Sequence, residues 1–266
     1  MPVESELPAQ SVDQEKFHQI DRVVMGEAFA VQNALGRFFD EKIFKLELAA
    51  RCTQAGLDVR LEEPLRIRHG VFSKIYFLDF IAEKSVPYEL KCAEALNGTH
   101  QNQLLNYLLL LEWKHGKLVN FRPARVESRF VSTSLSRIDR TSFEVHDEFW
   151  IELNGADRLL KNRLIDLLAD LGLCLDLCLY RDALACLMND VSPGRQNIEI
   201  FSAGRVLGTH SMCMLDNTTA WHISTMESPS ESYRRHLQQL LCHTRLSRMN
   251  WINLGQKAVS FLSLQK

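Results

Sequence analysis

The sequence predicts an α/β protein in which a mixed sheet is flanked by helices, with this arrangement present twice in the chain. Three observations predict it. From Phe17 to Ala55, apolar residues recur at steps of three and four, which indicates two helices broken near Gly36. Short β-rich runs follow, the first of them between Leu57 and Ile67. The order of these elements recurs in the last third of the chain.

Composition places only outer limits on function. The chain has 266 residues, enough for one or two domains with buried cores. Its net charge of -2 gives no overall basic field, so contact with nucleic-acid phosphates would need a local basic patch. The acidic start does not read as a signal peptide, and no apolar run is long enough to span a bilayer. We therefore expect a cytoplasmic protein.

The cysteines predict reduced thiols. There are seven, without paired Cys-x-x-Cys spacing, which does not favour a disulfide framework. Cys174, Cys178 and Cys186 fall on an apolar helical pattern, which favours packing in the core over metal binding.

A hairpin spanning Tyr76 to Lys91 carries the candidate site. Two β-rich runs, Ile75 to Ile81 and Val86 to Leu90, flank the polar connection from Ala82 to Ser85, and this order predicts two antiparallel strands. Pro87 fits this less well, because proline removes a ladder donor and normally marks an edge strand or a bulge.

The hairpin brings three charged residues together. Asp79 comes close to Glu89, and Glu89 and Lys91, two positions apart, share one face of their strand. Two converging carboxylates repel each other, and a hard divalent cation such as Mg²⁺ relieves that repulsion. A bound cation lowers the pKa of its water, while a lysine can orient the nucleophile. These residues suggest metal-assisted phosphodiester hydrolysis, with a solvated strand face as the alternative.

Other short motifs accompany the hairpin in a fixed order. The most specific are Ala34-Leu35-Gly36, Glu41, Asp79, Glu89-Leu90-Lys91, Gln103 to Leu108 and Val119-Asn120-Phe121. In this order they resemble the PD-(D/E)xK nuclease superfamily, in particular its small bacterial branch called GxxExxY proteins. The resemblance covers roughly Phe17 to Arg122. The name-giving motif departs at two positions, since Phe38 stands where its glycine is expected and Phe44 where its tyrosine is expected.

The resemblance implies a restriction-endonuclease-like fold and assigns roles to five residues. Asp79 and Glu89 would be metal ligands, with Glu41 completing the site for Mg²⁺ or Mn²⁺. Lys91 would be the catalytic lysine, and Gln103 would position the nucleophile or that lysine. The implied substrate is nucleic acid, with DNA favoured over RNA. From the residues alone, Glu41 could also be a solvated helix residue, and Gln103 could lie on the polar edge of an apolar helix.

The same patterns predict four regions along the chain. They are a flexible tail at 1–16, the nuclease-like domain at 17–122, a connector at 123–157 and a degenerate repeat at 158–266. The arginines of the connector could touch phosphates, but their mixture with serines and threonines favours an ordinary solvated linker.

The last third of the chain repeats the first domain at low identity. Leu171-Gly172 matches Leu35-Gly36 at an offset of 136 residues, and Trp251 to Leu254 matches Leu118 to Phe121 at an offset of 133. One short deletion between the two matches reconciles the offsets. The pattern predicts an intrachain pseudo-dimer.

The chemistry of the site is lost in the second copy. Its equivalents of Glu41, Asp79, Glu89, Lys91 and Gln103 are, in that order, Leu177, Met212, His222, Ser224 and His236. Leucine and methionine cannot bind Mg²⁺, and the two histidines would need a third ligand to form a Zn²⁺ site. The degenerate copy could instead bind a protein partner or mediate self-association.

Three functions remain open from the sequence. The protein could be a metal-dependent nuclease, a nucleic-acid-binding protein without turnover, or an interaction scaffold with a nuclease fold. The first copy keeps all five polar positions and the second copy has lost all five, which favours the nuclease.

Overall fold

The computed structural model describes residues 3–8 and 11–266. The chain divides into two compact units: one comprises residues up to Arg68 together with Ser73–Ser136, and the other His69–Phe72 together with Arg137–Lys266. Each unit holds a six-stranded sheet with helices. This confirms the predicted α/β fold with mixed sheets flanked by helices, which is consistent with a restriction-endonuclease-like architecture. The presence of two such sheets suggests duplication.

The first unit has three helices around its sheet. Its elements are β1 (Val3–Glu4), α1 (Gln14–Leu35), α2 (Glu41–Gln54), β2 (Val59–His69), β3 (Phe72–Ala82), β4 (Val86–Lys91), α3 (Gly98–Leu111), β5 (His115–Asn120) and β6 (Glu127–Ser132). The strands follow the order β1-β2-β3-β4-β5-β6, and β4 and β5 are parallel. The central strand β4 is therefore bordered by the hairpin partner β3 on one side and by β5 on the other.

The break between α1 and α2 has a local cause. Asp13 caps the start of α1 by accepting a hydrogen bond from the backbone amide of Lys16 at 2.7 Å. The helix ends at Gly36, whose φ of 75° is a conformation that glycine adopts without steric cost. The predicted two helices broken near Gly36 are thus confirmed.

Helices α1 and α2 cover the apolar face of β4. Phe17 of α1 and Phe44 of α2 are fully buried in one core cluster with Tyr88 and Leu90. The ring of Phe44 stacks on Phe121, with ring centroids 4.6 Å apart. Burial of each such side chain stabilises the fold by roughly 1.5 to 3 kcal/mol. Because strand residues alternate, Glu89 and Lys91 face the side of β4 opposite to this core cluster.

The second unit repeats the element order of the first. Its elements are α4 (Arg137–Thr141), β7 (Glu144–Phe149), α5 (Gly155–Leu171), α6 (Leu177–Leu187), β8 (Gly194–Ser202), β9 (Arg205–Met214), β10 (Thr219–Ser224), α7 (Glu231–Cys242), β11 (Arg248–Leu254) and β12 (Ala258–Gln265). The strand order is β7-β12-β11-β10-β9-β8, with β10 and β11 parallel. Strands β8 to β12 thus follow the same order and directions as β2 to β6.

The two parallel strand pairs agree in detail. Glu89 pairs with Leu118 in the first unit, and His222 pairs with Trp251 in the second, each 133 positions further on. Both pairs are also closed by the same side-chain clamp. Asn120 accepts from the Ala93 amide at 3.0 Å and donates to the Ala93 carbonyl at 2.7 Å.

In the second unit, Asn253 accepts from the Met226 amide at 3.1 Å and donates to the Met226 carbonyl at 2.9 Å. Asn253 and Met226 again lie 133 positions beyond their counterparts in the first unit. The helix break recurs as well: α5 ends at Gly172, whose φ is 77°. The two units, matched above by motifs of low identity, thus also share strand pairing and asparagine side-chain contacts at equivalent positions.

Two regions differ from what the sequence predicts. Within the segment expected to be a flexible tail, residues 1, 2, 9 and 10 lie outside the described residues. In its described part, Val3 pairs with Ile67, Leu7 is buried, and α1 begins at Gln14. A two-residue strand is too short to show an alternating pattern, so local sequence does not indicate it.

The segment expected to be a connector, 123–157, contains regular structure. Strand β6 pairs antiparallel with β5, so the first unit extends beyond residue 122 to Ser136. The rest of the segment holds α4, β7 and the start of α5. Every residue of β7 is exposed, so this strand lacks the alternation on which sequence prediction depends.

The thiols differ in part from the prediction. All seven cysteines are free, but Cys178 and Cys186 are exposed and Cys174 is half-buried. Helix α6 directs Leu179 and Tyr180 to the core instead. None of the helices in the described part of the chain is long and apolar enough to cross a membrane.

Candidate active site

The site lies where the backbone hydrogen bonds between β3 and β4 end and a side-chain hydrogen bond joins the two strands instead. The ladder runs from the pair Ala82 and Val86 to the pair Phe80 and Tyr88. One residue earlier, Oδ2 of Asp79 accepts a hydrogen bond from the backbone amide of Leu90 at 3.1 Å. The carboxylate of Asp79 is thereby fixed between the two strands.

Pro87 is compatible with this central strand because of its place in the register. It pairs with Ile81 of β3, and the parallel pairing of β4 with β5 begins one residue later, between Tyr88 and Lys117. The missing amide of Pro87 therefore precedes the ladder to β5. Proline is tolerated at such positions near the start of a strand.

The three charged residues of the hairpin converge. Nζ of Lys91 lies 2.6 Å from Oε1 of Glu89 and 3.9 Å from Oδ2 of Asp79. The side chain of Glu89 is only 2% exposed. The structure thus places one ammonium between two carboxylates, one of them deeply buried.

Burial and charge shift the ionisation of this pair. Burial, and next the charge of Asp79, raise the pKa of Glu89 to about 8, although Lys91 acts against this. For Lys91, burial acts to lower the pKa, but the contact with Glu89 and the charges of Asp79 and Glu41 outweigh it and the pKa is raised. The cluster therefore carries an excess of negative charge that a proton or another cation relieves.

Glu41 lies beside this pair. It is the first residue of α2 and is half-buried. Burial raises its pKa, Lys91 lowers it, Asp79 raises it, and the backbone of Cys92 lowers it. Since Cys92 directly follows β4, Glu41 lies near the end of the strand that carries Lys91.

Gln103 reaches the cluster through a tyrosine. Its Nε2 donates to the hydroxyl of Tyr107, one turn further along α3, at 3.1 Å. Burial, and next the charge of Glu89, raise the pKa of Tyr107, so this hydroxyl is coupled electrostatically to that carboxylate. Among the described residues, Gln103 makes no hydrogen bond to Lys91 itself.

A second lysine, which sequence reasoning missed, completes the cluster. Nζ of Lys45 donates to Oδ1 of Asp79 at 2.9 Å and also contacts the carboxylate of Glu62. The side chain of Lys45 is 9% exposed. One signal could have identified it, because Lys45 follows Glu41 by four residues and so shares its face of α2. Glu62 offered no such signal, since it belongs to the distant strand β2.

The donor chemistry of the site fits a hard divalent cation. Glu41, Asp79 and Glu89 supply carboxylate oxygens, which Mg²⁺ and Mn²⁺ prefer. In the described ranges, no three histidine, cysteine, aspartate or glutamate side chains are grouped as a metal site. The ammonium of Lys91 lies between the carboxylates of Asp79 and Glu89.

A family model supports the nuclease reading of the first unit. Residues 18–132 match the model described as the PD-(D/E)XK nuclease superfamily. The matched stretch runs from α1 to β6 and contains all five predicted site residues. It supports nuclease-type phosphodiester hydrolysis and implies a nucleic-acid substrate. Searches of curated proteins and of solved structures found no match.

Proposed function

We propose that the first unit hydrolyses phosphodiester bonds of nucleic acid in a metal-dependent reaction, with DNA preferred over RNA. The observation that carries this proposal is the convergence of Asp79, Glu89 and Lys91 at the point where β3 and β4 separate. The superfamily match over residues 18–132 supports it. We also propose membership of the GxxExxY branch, on the motifs around Glu41 and Gln103.

Each residue of the cluster has a role in this proposal. Asp79 and Glu89, with Glu41, hold Mg²⁺ or Mn²⁺. When bound, the cation stabilises negative charge on a phosphoryl oxygen and lowers the pKa of a water. Lys91 orients the attacking water or shares the charge that develops on the phosphate. Gln103 holds the Tyr107 hydroxyl and so acts on this arrangement indirectly.

Lys45 is proposed as a positioning residue. It donates to one oxygen of Asp79, while the Leu90 amide donates to the other. Both oxygens therefore have defined partners, and the carboxylate is held in one orientation. Such supporting contacts around a metal ligand affect metal affinity and activity by about 10- to 100-fold.

We further propose that the second unit is a degenerate copy of the first. The positions of three of its five equivalent residues support this. Leu177 begins α6 as Glu41 begins α2, and Ser224 ends β10 as Lys91 ends β4. His222, at the position of Glu89, has its Nε2 2.6 Å from the Tyr233 hydroxyl. None of the five can replace a carboxylate ligand, so cleavage is assigned to the first unit alone.

A cleavage assay on a panel of substrates tests the proposed function. Single-stranded DNA, double-stranded DNA and RNA are incubated with the protein in Mg²⁺, in Mn²⁺ or in EDTA. We expect cleavage of DNA that needs a divalent metal and that Asp79→Asn reduces by at least about 100-fold, because a ligand is weakened. Circular dichroism checks that the variant is folded. Cleavage that persists in EDTA would contradict the proposal.

A further inference from the structure

In the second unit, a basic side chain is retained at the position of Lys45, although the acidic side chains of the first unit are lost. Arg181 is the fifth residue of α6, as Lys45 is the fifth residue of α2. Met212 occupies the position of Asp79, one of the two carboxylate partners of that lysine. The second unit has thus kept a cation and lost the anion that it neutralises in the first.

A cavity lies at this place. Its volume is about 240 Å³, and its lining includes Arg181, Arg195, His210, His222, Met212 and Cys213. No aspartate or glutamate is among the described residues that line it. The cavity therefore combines two guanidinium groups and two imidazoles with an apolar floor.

The positive charge in the cavity is not neutralised by its surroundings. In the part of the chain that the structure describes, no salt bridge engages Arg181 or Arg195. Asp182, which also acts on Cys213, is exposed and acts on that thiol less than either arginine does. The two arginines are therefore free to pair with an anion.

The pKa of His222 responds to the same positive charge. Burial, followed by the charges of Arg181 and His210, lowers the pKa of His222 to about 4. His222 is therefore neutral at pH 7, and its hydrogen-bond partner is the Tyr233 hydroxyl at 2.6 Å. An anion in the cavity would offset the charges that act on His222.

We propose that this cavity binds a phosphate group of a nucleic-acid strand through Arg181 and Arg195. Guanidinium groups match phosphate oxygens in bidentate geometry and stay charged at all physiological pH values. Without carboxylates, the site holds the phosphate without a metal. The identity of the ligand as nucleic acid rests on the proposed function, whereas its anionic character is argued from the two guanidinium groups that line the cavity.

The test uses the full chain carrying Glu89→Gln, so that substrate is not cleaved. Affinity for a fluorescent single-stranded DNA of twelve nucleotides is measured by anisotropy in EDTA at several salt concentrations. We expect Arg181→Gln to weaken binding about tenfold and to reduce the salt slope by about 0.7, the value for one lost phosphate contact on a single strand. Arg195→Gln is the second variant, because Arg195 is exposed and its replacement spares the core.

Arg205→Gln is the matched control. Arg205 is an exposed arginine on the same β8–β9 hairpin and does not line the cavity. This substitution removes the same charge but lies outside the cavity, so we expect the DNA affinity to change by less than about twofold. Equal affinities for the parent, Arg181→Gln and Arg195→Gln proteins would overturn the proposal, and so would equal losses in all three arginine variants.

A second measurement distinguishes a strand from free phosphate. Inorganic phosphate is titrated into the parent protein while the imidazole signals of His210 and His222 are followed by NMR. Shifts that disappear in Arg181→Gln, together with weaker DNA binding, support the proposal. Shifts without any change in DNA binding would mean that the cavity takes free phosphate only, which overturns it. Cleavage by the unmodified protein is scored separately, so failure of the proposed function would not be mistaken for failure of this site.

Discussion

Asp79 is the residue on which the site depends most. Its two oxygens accept from Lys45 and from the Leu90 amide, and Lys91 lies 3.9 Å from it. Sequence periodicity predicts that Glu89 and Lys91 share a face, because strand side chains alternate. It could not predict the contact between Lys45 and Asp79, which joins a helix to a strand 34 positions away in sequence.

Replacement of Lys45 tests its positioning role. We expect Lys45→Met to lower metal-dependent cleavage by about tenfold or more, because Oδ1 of Asp79 loses its charged donor. Lys45→Arg should restore part of the activity. Calorimetry with Mg²⁺ should show weaker metal binding in Lys45→Met. The control is Lys42→Met, an exposed lysine on the same helix; if Lys42→Met loses as much activity, the assigned role is wrong.

The raised pKa of Glu89 predicts how metal binding depends on pH. Below pH 8 the carboxyl is largely protonated in the metal-free protein, so a metal must displace a proton. We expect the affinity for Mg²⁺ to increase about tenfold between pH 6.5 and pH 8, with proton release that calorimetry in two buffers detects. Glu89→Gln should abolish the proton release. An affinity independent of pH over this range would refute the account of Glu89.

At the scale of elements, prediction succeeds where patterns are long. Helices α1 and α2 and the β3–β4 hairpin carry periodic apolar residues over many positions, and all are present. Strands β1, β6 and β7 were missed. Each is six residues or shorter, and β7 is exposed throughout, so their pairing is set by neighbours that the local sequence does not encode.

The asparagine clamps give a prediction at this scale. Asn120→Ala should leave the amide and carbonyl of Ala93 without partners, which costs about 1 to 3 kcal/mol locally. Hydrogen exchange at the Ala93 amide should then accelerate, while exchange at Met226 stays unchanged. Asn253→Ala should produce the reverse pattern. Unchanged exchange at both amides in both variants would show that the clamps do not stabilise these segments.

For the whole molecule, the central feature is a pair of six-stranded sheets with matching strand order, and the cluster of Asp79, Glu89 and Lys91 lies in the first. Motifs at offsets of 136 and 133 residues predict a repeated fold, and the two sheets agree in strand order and register. The basic cavity of the second unit could not be predicted in the same way. Arg181 and Arg195 meet there only because α6 and β8 fold onto the same place.

The most direct test of the account is the metal-dependent cleavage of DNA by Glu89→Gln. The matched control is Glu47→Gln. It also removes one carboxylate charge, but Glu47 lies on α2 in an ion pair with Arg51 and not in the site. We expect Glu89→Gln to lose at least about 100-fold in activity, because a metal ligand is replaced, and Glu47→Gln to stay within about twofold, because surface ion pairs contribute little. Full activity in a folded Glu89→Gln protein would contradict the assignment of the site.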